Sequence, residues 1–246
     1  MCTLVLLRRP GSPWPLLLAA NRDELRSRAS MPPARHWPDR PHVRGGLDVL
    51  ARGSWLGVND DGMAAAVLNR RGTLGPAPGK RSRGELVLEA LDHAEAREAA
   101  LALSGLDPDA YRPFNLIVAD AEHAFWLRHA GDGPIRSVPI PGGTHMIEAG
   151  ELDDPASARI ARFLPQFRFV PEPDPEGGDW SSWQALLADR TSRSGEPRDA
   201  MTIVTQGDYG TVSASLIALP QYATTPPLFL HAEGRPGEAA FAEVPG

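Results

Sequence analysis

Cys2 is the only cysteine in this 246-residue chain, and it stands directly behind Met1. Methionine is normally clipped when the next residue is small, so the mature chain is expected to begin with a cysteine bearing both a thiol and a free α-amine. A thiol with an ordinary pKa of ~8.5 beside an α-amine of ~7.7–8.0 is a nucleophile with its own base. A lone cysteine elsewhere in a chain is more often a small buried hydrophobe, so the address carries more information than the residue type.

Two further groups of residues could serve such a nucleophile. In Asn21-Arg22-Asp23-Glu24, the arginine could lower a nearby thiol pKa by its charge, and Asp23 could orient that arginine or the α-ammonium. Asn59 and Asn69 flank the segment around Asp60-Asp61-Gly62, and side-chain amides are neutral donors of the kind an oxyanion hole needs. Asn59 also fits ordinary turn chemistry, whereas Asn69 closes an apolar strand where a β-branched residue would fit better. Asn21, Asn59 and Trp55 are the candidate substrate contacts. The glycines of Gly45-Gly46 and Gly53-Ser54-Trp55-Leu56-Gly57 allow close backbone approach, to a substrate or to a turn.

Other chemistries have less support. The seven histidines show no metal-ligand spacing, there is no glycine-rich phosphate loop, and no Gly-x-Ser-x-Gly elbow supports a serine nucleophile. No metal or organic cofactor is expected. The formal charge of −6, with scattered basic residues, argues against a nucleic-acid partner. A single cysteine fits a reducing compartment. The apolar runs are too short for a membrane span and wrongly flanked for a signal peptide, so the expected protein is soluble and cytoplasmic.

These residues need elements to hold them. Thr3 to Leu7 and Leu16 to Ala20, around Pro10-Gly11-Ser12-Pro13, read as a hairpin that brings Arg22 and Asp23 beside Cys2. Residues 21–53 are Arg-, Pro- and Gly-rich without periodicity and read as a long loop. Ser54 to Asn59 and Met63 to Asn69 form a second hairpin on an Asp-Gly turn signal. Residues 84–103 predict one long helix with His93 on its surface, and Phe114 to Ala119 with His123 to His129 predict a third strand pair. A strand over Thr144 to Glu148, short helices over 155–163 and 180–188 on either side of a flexible link at 171–178, and strands at 201–205, 211–219 and 228–232 complete the chain. Hairpins with helices between them imply an α+β layered arrangement of mainly antiparallel sheets, read as a single domain over residues 1–246.

Taken in order, Met1-Cys2-Thr3, Asn21-Arg22-Asp23-Glu24, Gly45-Gly46-Leu47-Asp48, Gly53 to Asn59, Gly62 with Asn69-Arg70, Ser82-Arg83-Gly84, Phe114-Asn115-Leu116 and Tyr209-Gly210-Thr211 resemble the NRDE family. It is also called the transport and Golgi organisation protein 2 family. That family is similar to N-terminal nucleophile hydrolases of the penicillin V acylase and bile salt hydrolase type. The resemblance implies a four-layer αββα sandwich with Cys2 at one end, Arg22 in the place of the acylases' active-site arginine and Asn69 as oxyanion donor. Asp23 adjoins the arginine, whereas the acylase aspartate lies a few residues beyond it. The acylases' later asparagine has no equivalent in residues 144–149, where Glu148 stands, and their later arginine falls near Arg159 or Arg162.

Two functions follow as expectations. One is an amidohydrolase acting on non-peptide carbon–nitrogen bonds through Cys2, Arg22, Asp23 and Asn69. The other is a non-catalytic binding or trafficking protein on the same scaffold, for a lipid-like, acyl-CoA or haem ligand, with His36 or His42 as haem ligands beside Cys2.

Overall fold

A computed structural model of the chain describes residues 2–222 and 224–246. In chain order the strands and helices are β1 (Thr3–Arg8), β2 (Leu16–Leu25), β3 (Ser30–Ala34), β4 (Val43–Asp48), β5 (Leu56–Asn59), β6 (Ala64–Asn69), α1 (Gly84–Leu91) and α2 (Ala96–Ser104). They continue as β7 (Phe114–Ala119), β8 (Ala124–His129), β9 (Arg136–Pro139), β10 (Gly143–Ile147), α3 (Ala158–Phe169), α4 (Ser181–Leu187), β11 (Tyr209–Leu219), β12 (Leu228–Ala232) and β13 (Ala242–Glu243). The strands make two antiparallel sheets, ordered β10-β1-β2-β11-β12-β13 and β3-β4-β5-β6-β7-β8-β9.

The run Leu4-Val5-Leu6-Leu7 is continuously apolar because both faces of its sheet are covered. Leu4 and Leu6, with Leu16 and Leu18, meet Leu56, Val58, Ala66 and Leu68 of the second sheet in the inter-sheet core. Val5, Leu7 and Leu17 point the other way, against Phe163, Phe167, Trp180 and Trp183 on the α3/α4 side. On the far side, Met63, Ala65, Leu116 and Val118 pack on Leu86, Leu91, Ala99 and Leu103 of α1 and α2. The result is the α+β sandwich of four layers, αββα. Among the described residues no helix is long and apolar enough to cross a membrane.

Several elements differ from the sequence reading. Residues 21–53 are not one loop: β2 runs on to Leu25 because its polar end pairs with β11, Asp23 opposite Thr211 and Leu25 opposite Tyr209, and β3 and β4 form a hairpin beyond it. Main-chain pairing, which polarity does not reveal, sets these strands. The long helix is two helices. Glu95 is extended between them, and Ala96 N–H donates to the Asp120 carboxylate at 2.7 Å, which starts α2 and leaves His93 in the connection. Helix α3 begins behind Ser157, whose Oγ accepts from Ile160 N–H at 3.1 Å, and continues through Pro165 to Phe169. Residues 201–205 form no strand, although Ile203 still exchanges hydrogen bonds with Thr211. Within 171–178 the chain turns back on itself, with Asp174 bridging Asp179. The edge strand β9 and the short β13 carry too little apolar pattern to be read in advance.

Candidate active site

The register of the first hairpin places the site. Thr3 pairs with Asn21, so Cys2 lies beside Arg22 one step beyond the last pair, and its Sγ is 3.8 Å from the Asp23 carbonyl oxygen. Opposite Arg22 and Asp23 the partner strand β11 carries a bulge between Thr211 and Ser213. Bulges re-aim side chains next to functional sites, and here one lets Thr211 and Ser213 both face β2 residues.

Strand alternation then sorts the polar tetrad onto two faces. Arg22 turns toward the inter-sheet side, where its guanidinium carbon lies 4.1 Å from the Trp55 ring centroid and Nη1 donates to Ser30 Oγ at 3.2 Å. Asn21 and Asp23 turn toward the helices. Asn21 Nδ2 donates to the Leu187 and Met201 carbonyls at 3.0 and 2.9 Å, an anchor for the α4 layer. Asp23 Oδ1 accepts from Thr211 Oγ1 at 2.6 Å, and Oδ2 faces Arg159 Nη1 at 3.4 Å.

Behind the thiol this contact extends into a buried charge network. Arg159 is 1 % exposed. It donates to Thr3 Oγ1 and, at 2.5 Å, to the Arg198 carbonyl, while its Nε lies 3.9 Å from Glu148. Glu148 accepts from Ser157 Oγ at 2.6 Å. Arg162 instead points outward to Asp189 and Thr191. Burial raises the Asp23 pKa, against the pull of the Arg159 charge and the Thr211 bond. Burial also pushes up the Cys2 thiol, helped by the Asp23 charge and opposed by Arg22. The thiol therefore keeps its proton unless a base takes it.

Cys2 and Arg22 open on a cleft of about 520 Å³ that Trp55, Asn69 and Arg83 also line. Among the described residues the Asn69 side-chain amide has no hydrogen-bond partner, so its donors are available to a ligand. A smaller, apolar pocket continues beneath Cys2 between Leu4, Ala20, Leu56, Ala66 and Leu68.

Asn59 is placed elsewhere. Its amide donates to the Leu91 and His93 carbonyls and accepts from Met63 N–H, tying the β5–β6 turn to the end of α1, and it lines neither cavity at Cys2. Asp23 also lines neither; it stands behind the nucleophile. His36 and His42 contact the Pro32 and Leu91 carbonyls and are absent from both cavity walls, so the donor set considered for haem does not assemble around Cys2. The glycines serve packing. A Cβ on Gly46 would sit 2.2 Å from the Trp55 ring, and one on Gly53 would sit 2.4 Å from the Gly84 backbone.

Of the two arginines the resemblance offered, Arg159 is the buried one, and the sequence carries a signal for that choice. It shares the i, i+4, i+8 face of α3 with Phe163 and Phe167, and a charge inside an apolar stripe implies a buried partner.

Two stacked antiparallel sheets between helical layers, with the strand that follows Cys2 held inside the first sheet, make the fold of the N-terminal nucleophile hydrolases. A Caenorhabditis elegans orthologue of N-acylethanolamine-hydrolyzing acid amidase superposes with a TM-score of 0.63 at 13 % identity, covering 90 % of this chain and 94 % of that one. Penicillin V acylase from Agrobacterium tumefaciens gives 0.53 at 13 % identity, covering 95 % and 83 %. The chain belongs to the family described as Transport and Golgi organisation 2, whose model matches residues 1–223. The Transport and Golgi organization protein 2 homolog of Bos taurus is 33 % identical over 148 residues, 57 % of this chain and 52 % of that protein, and its Homo sapiens counterpart is 37 % identical over 114 residues, 44 % and 40 %. The aligned region thus spans about half the length of these curated relatives or less.

Proposed function

We propose that the protein is an N-terminal-cysteine amidohydrolase acting on non-peptide carbon–nitrogen bonds. The observation that carries this reading is Cys2 at the mouth of a cleft, beside a buried Arg22, in a fold shared with amide-cleaving enzymes. After Met1 is removed, the α-amine of Cys2 takes the thiol proton and the thiolate attacks the amide carbon. The Asn69 amide donates to the oxyanion. As the C–N bond breaks, the α-ammonium returns its proton to the leaving amine, and a thioester remains on Cys2. Water, deprotonated by the α-amine, attacks this thioester; the products are a carboxylic acid and the restored thiol. Arg22 supplies positive charge at the nucleophile, and Asp23, held by Arg159 and Thr211, fixes the strand end that carries it.

The test compares processed wild type with Cys2→Ala and with a chain that keeps an uncleavable N-terminal extension, on a panel of acyl amides. Both altered proteins should lose at least about a thousandfold in kcat/KM. Equal turnover by the extended chain would sink the α-amine mechanism.

One observation favours a second reading. Glu148, just past the end of β10 where the resemblance to the acylases calls for a second neutral oxyanion donor, is committed to Ser157. A binding protein without turnover would need no such donor. Lipid-like ligands that bind wild type and Cys2→Ala equally, with no product formed, would favour it.

A further inference from the structure

The cleft over Cys2 is strongly cationic in a chain whose formal charge is −6. Six basic side chains line it against two carboxylates, Glu24 and Asp48. Arg28 is neutralised by Asp48 at 2.7 Å, and Arg81 by Glu85 and Glu89. The other four, Arg22, Lys80, Arg83 and Arg112, have no carboxylate within ion-pair distance among the described residues.

Their positions are nevertheless held by the fold. Arg83 and Arg112 both donate to the Gly75 carbonyl, at 3.4 and 3.0 Å, and Arg112 also reaches the Leu74 and Pro76 carbonyls at 2.8 and 3.2 Å. Lys80 Nζ donates to the Asp109 carbonyl at 2.5 Å. Carbonyls orient these groups without cancelling their charge. Two half-buried guanidiniums sharing one acceptor repel each other, and Arg83 is lowered to about 10 by burial with the Arg112 charge adding to it. Bringing an anion between them relieves that repulsion and makes charge-assisted hydrogen bonds.

We propose that the ligand carries an anionic head group, a carboxylate, sulfonate or phosphate, held by Arg83, Arg112 and Lys80. This rests on the amidohydrolase reading for its orientation. The scissile carbonyl lies at Cys2 in the cleft, and the amine half extends toward residues 74–83. The preferred substrates are thus acyl amides whose amine portion is negatively charged. Leu25 and Leu74, exposed on the same cleft, cover the apolar stem of such a molecule.

The experiment uses the processed protein and four decanoyl amides, those of glycine, taurine, O-phosphoethanolamine and, as neutral control, ethanolamine. At low salt the preferred anionic amide should exceed the neutral one in kcat/KM by about tenfold or more, and this margin should shrink severalfold by about 0.3 M NaCl. Glycine against phosphoethanolamine decides between a carboxylate and a phosphate source. Arg112→Gln and Lys80→Gln should each narrow the anionic preference, whereas Arg112→Lys should keep most of it. Equilibrium binding of the same four compounds to Cys2→Ala separates the two claims. Tighter binding of anions by Cys2→Ala with no wild-type turnover would refute hydrolysis and keep the anion site. Equal handling of charged and neutral amides, with no salt effect, would overturn the anion site and leave hydrolysis standing.

Discussion

The Arg22 guanidinium stacks on Trp55 with 4.1 Å between its carbon and the ring centroid, joining the end of β2 to the segment that leads into β5. The contact couples the two sheets at the point where the cleft opens. Arg22 is 6 % exposed, and a desolvated cation over an indole face is stabilised by about 2 kcal/mol. In a double-mutant cycle of Arg22→Ala and Trp55→Ala, each single change should lower kcat/KM by about 10- to 100-fold, and the pair should fall short of the product by ~1–2 kcal/mol. Strict additivity would show that the stack does not position the guanidinium.

Gly46 tests the same stack independently. A methyl group there would lie 2.2 Å from the Trp55 ring, so Gly46→Ala must move the indole. Any such shift disturbs the 4.1 Å stack on Arg22. Activity should fall about as far as in Trp55→Ala, with a stability loss of ~1–3 kcal/mol by urea unfolding. Wild-type activity in Gly46→Ala would show that the indole's position is not needed.

Arg159 and Arg162 are three residues apart on α3 and should behave differently. Removing Arg159 takes a buried cation from beside Asp23 and Glu148, and Arg159→Met should lower Tm by about 10 °C or more and abolish turnover. Arg162→Met, which breaks a peripheral pair with Asp189, should cost at most about 3 °C. Calorimetry of both variants checks the ordering, and similar Tm values would count against the buried network.

His231 gives stability a pH dependence. It is buried, its Nδ1 lies 2.9 Å from Ser215 Oγ, and burial together with the Arg22 charge lowers its pKa to about 4. An unfolded histidine titrates near ~6.5, so the unfolded chain binds this proton first as pH falls. The stabilisation is therefore complete above about pH 6.5 and is lost on acidification toward pH 4, up to roughly 3 kcal/mol. Urea midpoints across this window should fall less steeply for His231→Gln than for wild type. Parallel slopes would remove His231 as the source.

How much of this was legible in the sequence depended on which force set each feature. The β1–β2 and β5–β6 hairpins follow from short, continuously apolar runs and turn residues, and the first hairpin's register sufficed to put Arg22 beside Cys2. The strands β3 and β4 were not legible because their pairing is main-chain and their side chains are mixed. Asn59 and Asn69 look alike as residues, yet three hydrogen bonds consume the first and leave the second on the cleft wall. The cationic cleft is not legible in the sequence because its charges, spread from Arg22 to Arg112, converge only when two sheets and the 72–83 segment meet.

Strand β1 is an interior strand, bonded to β2 on one edge and to β10 on the other, with Leu4 opposite Ile147. Asp23 in turn depends on Arg159 and Thr211, from the latter half of the chain. Contacts of such sequence separation form slowly and late, after much loop-closure entropy has been lost. During synthesis the thiol therefore waits, unassembled, until the C-terminal half of its own sheet has emerged from the ribosome. A chain truncated before β11 would keep the nucleophile yet lack the strand that holds Asp23, and so would present a cysteine without a site.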